Sequence, residues 1–126
     1  MINMVEDACF FDTYAMIEIL KGNENYRVYA DKRAVLTKLN LFELFYNVLR
    51  DLGEETAEKV FEKYSPSAID YSIDAIKEAA KFRLERKSRD LSMTDCIGYI
   101  ISKKLKIKFL TGDKEFQSME NAEFLK

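Results

Sequence analysis

Residues 8–13 read Ala8-Cys9-Phe10-Phe11-Asp12-Thr13, an apolar and aromatic run broken at once by an acid and a hydroxyl. A short run of this kind, bounded by polar turn residues, predicts a buried strand that delivers Asp12 to its carboxyl end. Ile107 to Thr111 has the same character and stops at Gly112-Asp113, so a second acid follows a second strand. Ala34 to Leu39, with Val35, Leu36 and Leu39, reads as a further buried strand, Ala68-Ile69-Asp70 as a short one, and Ala122 to Leu125 as a last edge strand.

Helical periodicity fills the gaps between them. Tyr14, Ile17 and Leu20 share a face and stop before Gly22, and Asn23 can cap a second short helix through Tyr26 and Tyr29. Asn40 can cap a long helix running to Gly53, and Glu54 to Tyr64 forms another, broken by Pro66, the chain's one proline. Ser72 to Arg86 and Ser92 to Leu105 carry apolar stripes at helical spacing, separated by a loop over Ser88 to Leu91. Strands alternating with helices predict an α/β fold with a mainly parallel sheet covered by helices on both faces. In such sheets ligands bind beyond the carboxyl ends of the strands. A length of 126 residues, without repeat, linker or low-complexity tract, suits one domain over 1–126.

Composition removes many chemistries. The chain has no histidine, which excludes Ser-His-Asp and Cys-His hydrolysis, histidine acid–base ribonucleases and His-bearing zinc hydrolases. Cys9 and Cys96 have no Cys-x-x-Cys spacing and lie in apolar surroundings, which reads as reduced core thiols. A net charge of −2 argues against an all-over nucleic-acid-binding surface. No apolar run approaches the roughly 20 residues of a membrane span, and Met1 to Asp7 carries acids where a secretory leader carries bases, so a cytoplasmic protein is expected.

Chemistry must then come from carboxylates or a bound cation. Asp12 and Asp113 follow strands, while Glu43 and Asp95 fall in the first turn of the expected helices, so all four can face one end of the sheet. Gathered carboxylates raise one another's pKa, and a divalent cation resolves that conflict. Oxygen donors are those preferred by Mg²⁺ and Mn²⁺. Each acid also has a structural reading. Asn40-x-x-Glu43 and Ser92-x-x-Asp95 are acceptable capping boxes, Asp12 can cap the next helix, and Gly112-Asp113 can be a plain turn.

Taken in order, Phe10-Phe11-Asp12-Thr13-Tyr14, Leu41-Phe42-Glu43-Leu44, Leu91-Ser92-Met93-Thr94-Asp95-Cys96-Ile97 and Phe109-Leu110-Thr111-Gly112-Asp113-Lys114-Glu115-Phe116 resemble the successive motifs of PIN domains. The resemblance spans essentially the whole chain, at the length of the small stand-alone members, the VapC toxins of toxin–antitoxin pairs. It implies a three-layer α/β/α PIN-like fold and an endoribonuclease in which Asp12, Glu43, Asp95 and Asp113 hold Mg²⁺ or Mn²⁺. It further implies an RNA substrate, an antitoxin partner and a homodimer. An RNA-processing nuclease and a catalytically silent PIN-like binding module are the alternatives. Receiver domains and haloacid-dehalogenase-like phosphatases disagree with the motifs, since Asp12-Thr13-Tyr14 stands where the latter need Asp-x-Asp.

Around the acids, Glu115 suits an auxiliary or outer ligand, and Thr111 either orients a carboxylate or is a strand threonine. Gly98, one turn after Asp95, either leaves room for metal and phosphate or permits close helix packing. Arg86, Lys87 and Arg89 belong to a basic stretch, with Lys81 and Arg83, that either contacts RNA phosphates or forms a solvated helix face. Phe42, Phe45, Tyr46 and Phe61 read as core by default, with a partner-binding groove as the alternative.

Overall fold

The computed structural model describes residues 7–126; the residues 1–6, on which most of the leader reading rests, lie outside it. Four strands, β1 (Ala8–Phe11), β2 (Arg33–Val35), β3 (Lys108–Thr111) and β4 (Ala122–Phe124), form one sheet in the order β2-β1-β3-β4. Every pairing is parallel, with Phe10 opposite Val35 on one side and Phe109 on the other. β1 therefore runs through the middle of the sheet, which is why its side chains are buried on both faces and its sequence lacks alternation.

Alternate β1 residues divide the core in two. Cys9 and Phe11 face a layer built from α1 (Thr13–Leu20), α2 (Lys38–Leu52) and α3 (Glu54–Tyr64), where Met16, Leu44, Val48 and Val60 pack with Leu110. Ala8 and Phe10 face α4 (Ile73–Glu85) and α5 (Met93–Leu105), where Phe82, Tyr99, Phe109 and Phe116 form an aromatic cluster with ring centroids 5.0–5.7 Å apart. Helices on both faces of a parallel sheet give the three-layer α/β/α architecture that was expected. Both cysteines are free and buried, as expected of core thiols.

Several local expectations shift. The segment after Asn23 is a 3₁₀ helix, Glu24–Tyr29. The strand expected over Ala34 to Leu39 shortens to Arg33–Val35, and Ala68 makes only an isolated parallel bridge to Leu36 in place of a strand. The larger correction concerns α2, whose cap is Thr37. Its side chain accepts from Asn40 N and the Asn40 side chain accepts from Thr37 N, a complete capping box. Threonine three residues before asparagine escapes the usual Ser/Thr-x-x-Glu/Gln pattern, and the helix starts three residues earlier than expected. Glu43 accordingly lies in the second turn, where capping no longer accounts for it. Among the described residues no helix is long and apolar enough to cross a membrane.

Candidate functional site

β1 leads left to β2 and the chain then crosses to β3 on the other side of β1, so the strand order reverses between β1 and β3. The crevice beyond the carboxyl ends of such a strand pair is where parallel α/β sheets bind ligands. Asp12 leaves β1 there and Asp113 leaves β3 two residues after Thr111. Asp12 N donates to Leu110 O at 3.2 Å, which ties the acid to the neighbouring strand.

Asp12 is 2% exposed and caps α1, its Oδ1 accepting from Ala15 N at 2.7 Å. Burial, offset in part by the hydrogen bonds from Thr111 and Ala15 and reinforced by the charges of Asp95 and Asp113, pushes its pKa up to about 8. Asp95 is half-buried in the first turn of α5, where Ser92 Oγ accepts from Asp95 N at 3.0 Å and the Asp95 carboxylate hydrogen-bonds back to Ser92. Burial, together with the charges of Glu43 and Asp113, moves its pKa to about 6. These mutual influences are the structural sign that Asp12, Glu43, Asp95 and Asp113 share one neighbourhood. As the side chains stand, among the described residues no three acids come close enough to hold a single ion. One oxygen of Asp12 and one of Asp113 are engaged in hydrogen bonds to Ala15 N and Glu115 N.

Glu43 is positioned by neighbours that the sequence reading passed over. Thr13 Oγ1 donates to Glu43 Oε1 at 2.6 Å and accepts from Asn40 Nδ2 at 3.2 Å. A hydroxyl directly after a motif acid and an asparagine three residues before another were the available signals, but the asparagine was absorbed by a cap reading. Thr111 is fully buried, bonds the Asp12 carboxylate, and accepts from Asp113 N at 3.0 Å, so one hydroxyl touches both strand-end acids. Glu115 lies half-buried in the 3₁₀ turn Lys114–Phe116, and its N–H supports Asp113 Oδ1 at 2.9 Å.

Two ambiguities resolve on packing. A Cβ on Gly98 would stand 2.6 Å from Phe10 Cε1 and 3.3 Å from Phe109 Cε1, so this glycine serves the close approach of α5 to the sheet, not a space for phosphate. Gly112 lies beneath the Tyr14 ring, with the Tyr26 hydroxyl 2.8 Å from where a Cβ would be. The core expectation fails for Phe42 and Tyr46, 73% and 55% exposed on α2, and for Phe61, 36% exposed on α3, against which the half-buried Phe45 packs edge-on at 5.7 Å. Glu43 is flanked by this exposed aromatic face.

The basic stretch is partly engaged. Arg86 stacks on Phe82 with its guanidinium 4.2 Å from the ring centroid and pairs with Glu85, and Lys87 is exposed. Arg89 Nη1 donates to the Glu115 carbonyl at 2.8 Å, which fastens the α4–α5 connection to the turn carrying Asp113.

The family model described as PIN domain matches residues 9–122, from β1 to the start of β4. The chain belongs to the PIN domain family. Solved structures share the PIN fold of this chain at low identity. A toxin–antitoxin complex from Klebsiella pneumoniae aligns with a TM-score of 0.72 at 16% identity, over 91% of this chain and 95% of that one. VapC20 of Mycobacterium tuberculosis, a toxin that cleaves the sarcin–ricin loop, gives 0.69 at 17%, over 87% and 93%. VapBC2 from Rickettsia felis, bound to a DNA fragment from its promoter, gives 0.71 at 18%, over 94% and 99%. No curated protein matches the sequence. In this PIN domain the strand-end acids thus stand at the switch point of a fold shared with toxins of toxin–antitoxin pairs.

Proposed function

We propose that this protein is a divalent-metal-dependent endoribonuclease, the toxin of a toxin–antitoxin pair. The observation that carries the reading is Asp12: a carboxyl buried at the switch point, whose charge is opposed by burial and by Asp95 and Asp113. Such a group stays protonated or acquires a cation. With no histidine in the chain, the four carboxylates form a hard oxygen donor set suited to Mg²⁺ or Mn²⁺. Asp12, Glu43, Asp95 and Asp113 would hold the ion, and Glu115 would support from outside. When bound, the cation supplies Lewis-acid stabilisation and an activated water for phosphodiester hydrolysis.

The protein's own contribution is orientation. Thr111 fixes Asp12 and Asp113 relative to each other, and the cap bonds hold Asp12 and Asp95 at their helix starts. Arg86, Lys87 and Arg89 would meet RNA phosphates beside the Asp113 turn, to which Arg89 is already tied. The toxin role rests on the fold shared with toxin–antitoxin structures. The exposed aromatic face of α2, beside the acids, suits an antitoxin segment that would close the site, and a homodimer is the expected assembly.

Labelled RNA incubated with the protein in Mn²⁺, Mg²⁺ or EDTA, alongside the Asp113→Asn variant, tests the reading. Cleavage that requires both metal and Asp113 is expected. Cleavage surviving in EDTA or in the variant would refute it, and metal binding without cleavage of any RNA would favour the silent binding module.

A further inference from the structure

Thr37, Asn40 and Thr13 are 0%, 1% and 8% exposed, and together they form a hydrogen-bonded chain that ends on Glu43. Asn40 Oδ1 accepts from Thr37 N at 3.0 Å and from the Thr37 hydroxyl at 2.9 Å. With two donors on its oxygen, the Asn40 amide has one orientation, and Nδ2 must face Thr13. Nδ2 carries only protons, so Thr13 Oγ1 is an acceptor toward it at 3.2 Å. The single Thr13 proton is then committed to Glu43 Oε1, at the 2.6 Å of a charge-assisted bond. The side-chain donors of Thr37, Asn40 and Thr13 thus run in one direction, toward Glu43, and the Thr37–Asn40–Thr13 part of the chain is buried.

We infer that Asn40 and Thr13 are positioning residues that hold Glu43 as an acceptor, with Oε1 immobilised and Oε2 presented to the acid cluster. The capping box gives Asn40 a structural duty at the start of α2, yet its amide end lies outside that box and serves only Thr13. Asp95 feels the Glu43 charge, so the Glu43 carboxylate lies near the cluster. The inference rests on the metal-site reading, and metal binding without RNA tests it separately from catalysis.

The experiment is calorimetric Mn²⁺ binding to the intact protein and to Thr13→Val, Thr13→Ser, Asn40→Ala and the Asn40→Ala/Thr13→Val double variant, with thermal melts of each. Thr13→Val keeps the shape and removes the hydroxyl, and is expected to weaken Mn²⁺ binding about tenfold, the scale for losing a group that orients a ligand. Thr13→Ser restores the hydroxyl and should return affinity to within about twofold of the parent, the rest of the network being unchanged. Asn40→Ala should weaken binding in the parent but add nothing in the Thr13→Val background, whereas its effect on melting, which reports the capping box, should persist in both. Unchanged affinity in Thr13→Val, or an Asn40→Ala effect of equal size in both backgrounds, would overturn the inference. If Asn40→Ala does not fold, the Thr13→Val and Thr13→Ser pair decides alone. Absence of Mn²⁺ binding in the parent protein would instead refute the metal site itself.

Discussion

Replacing Asp12 by asparagine in metal-free protein isolates the charge that the fold holds out of water. The Asp12 pKa stands at about 8 against 3.8 for the free group, so the folded state binds the proton more tightly than the unfolded chain between those values. Stability linked to this group is therefore fully present below about pH 4 and is lost progressively as pH rises toward 8. Asp95, with its pKa moved to about 6, contributes in the same direction but only up to that pH, so the window from 6 to 8 reports chiefly on Asp12. A single proton with a midpoint near 8 changes stability by about 2 kcal/mol across that window. For a domain of this size that corresponds to roughly 6–8 °C in melting temperature. The Asp12→Asn side chain keeps the oxygen that caps Ala15 N and carries no charge, so the variant's curve should be nearly flat from pH 6 to 8 and lie above the parent at pH 8. Melts in EDTA at half-unit pH steps read both curves. Parallel curves for the two proteins would refute the assignment of a buried, cation-seeking carboxyl at position 12.

The same proton should compete with metal: apparent Mn²⁺ affinity is expected to rise with pH, by up to about tenfold per unit below 8 while one proton is displaced, as calorimetry across pH 6–8 would show. Gly98→Ala should destabilise by about 1–2 kcal/mol despite the better helix propensity of alanine, because the new methyl meets the buried Phe10 ring; a urea melt equal to the parent would disprove that close approach. Phe42→Ser should stay within about 0.5 kcal/mol of the parent in the same melt, since Phe42 is mostly exposed. A large loss there would restore Phe42 to the core.

The fold was legible because its strongest signals are local. Ala8–Phe11 and, past the exposed Lys108, Phe109–Thr111 are buried on both faces, so they read without strand alternation, and each delivers its acid at the end. The third strand was overextended because Leu36 and Leu39 are apolar for different reasons: Leu36 is buried beside Ala68, while Leu39 already belongs to α2. Strand and helix residues that both face a core look alike in so short a run. The aromatic residues of α2 were misjudged by the same logic, since nothing local separates Phe42, pointing to solvent, from Leu41 and Leu44, which do not. A helix with apolar residues around much of its circumference implies a core on one side and leaves the other face unaccounted for.

The site shows where a local reading stops. Capping and metal binding were weighed as alternatives for each acid, but the structure makes them compatible. Asp12 caps α1 and Asp95 closes a box with Ser92, yet each carboxylate also senses the others across the crevice. A helix N-terminus favours negative charge through its free N–H groups, so using it to hold an acid offsets part of the repulsion that gathering acids creates. Glu43, in the second turn of α2, has no free N–H group to lean on. Its oxygen is held instead by the Thr13 hydroxyl, which is oriented in turn by Asn40. The acids at helix starts could be found by capping rules. The acid without a cap needed a dedicated hydroxyl and amide brought from 30 and 3 residues away, and that kind of support becomes visible only once the chain is folded.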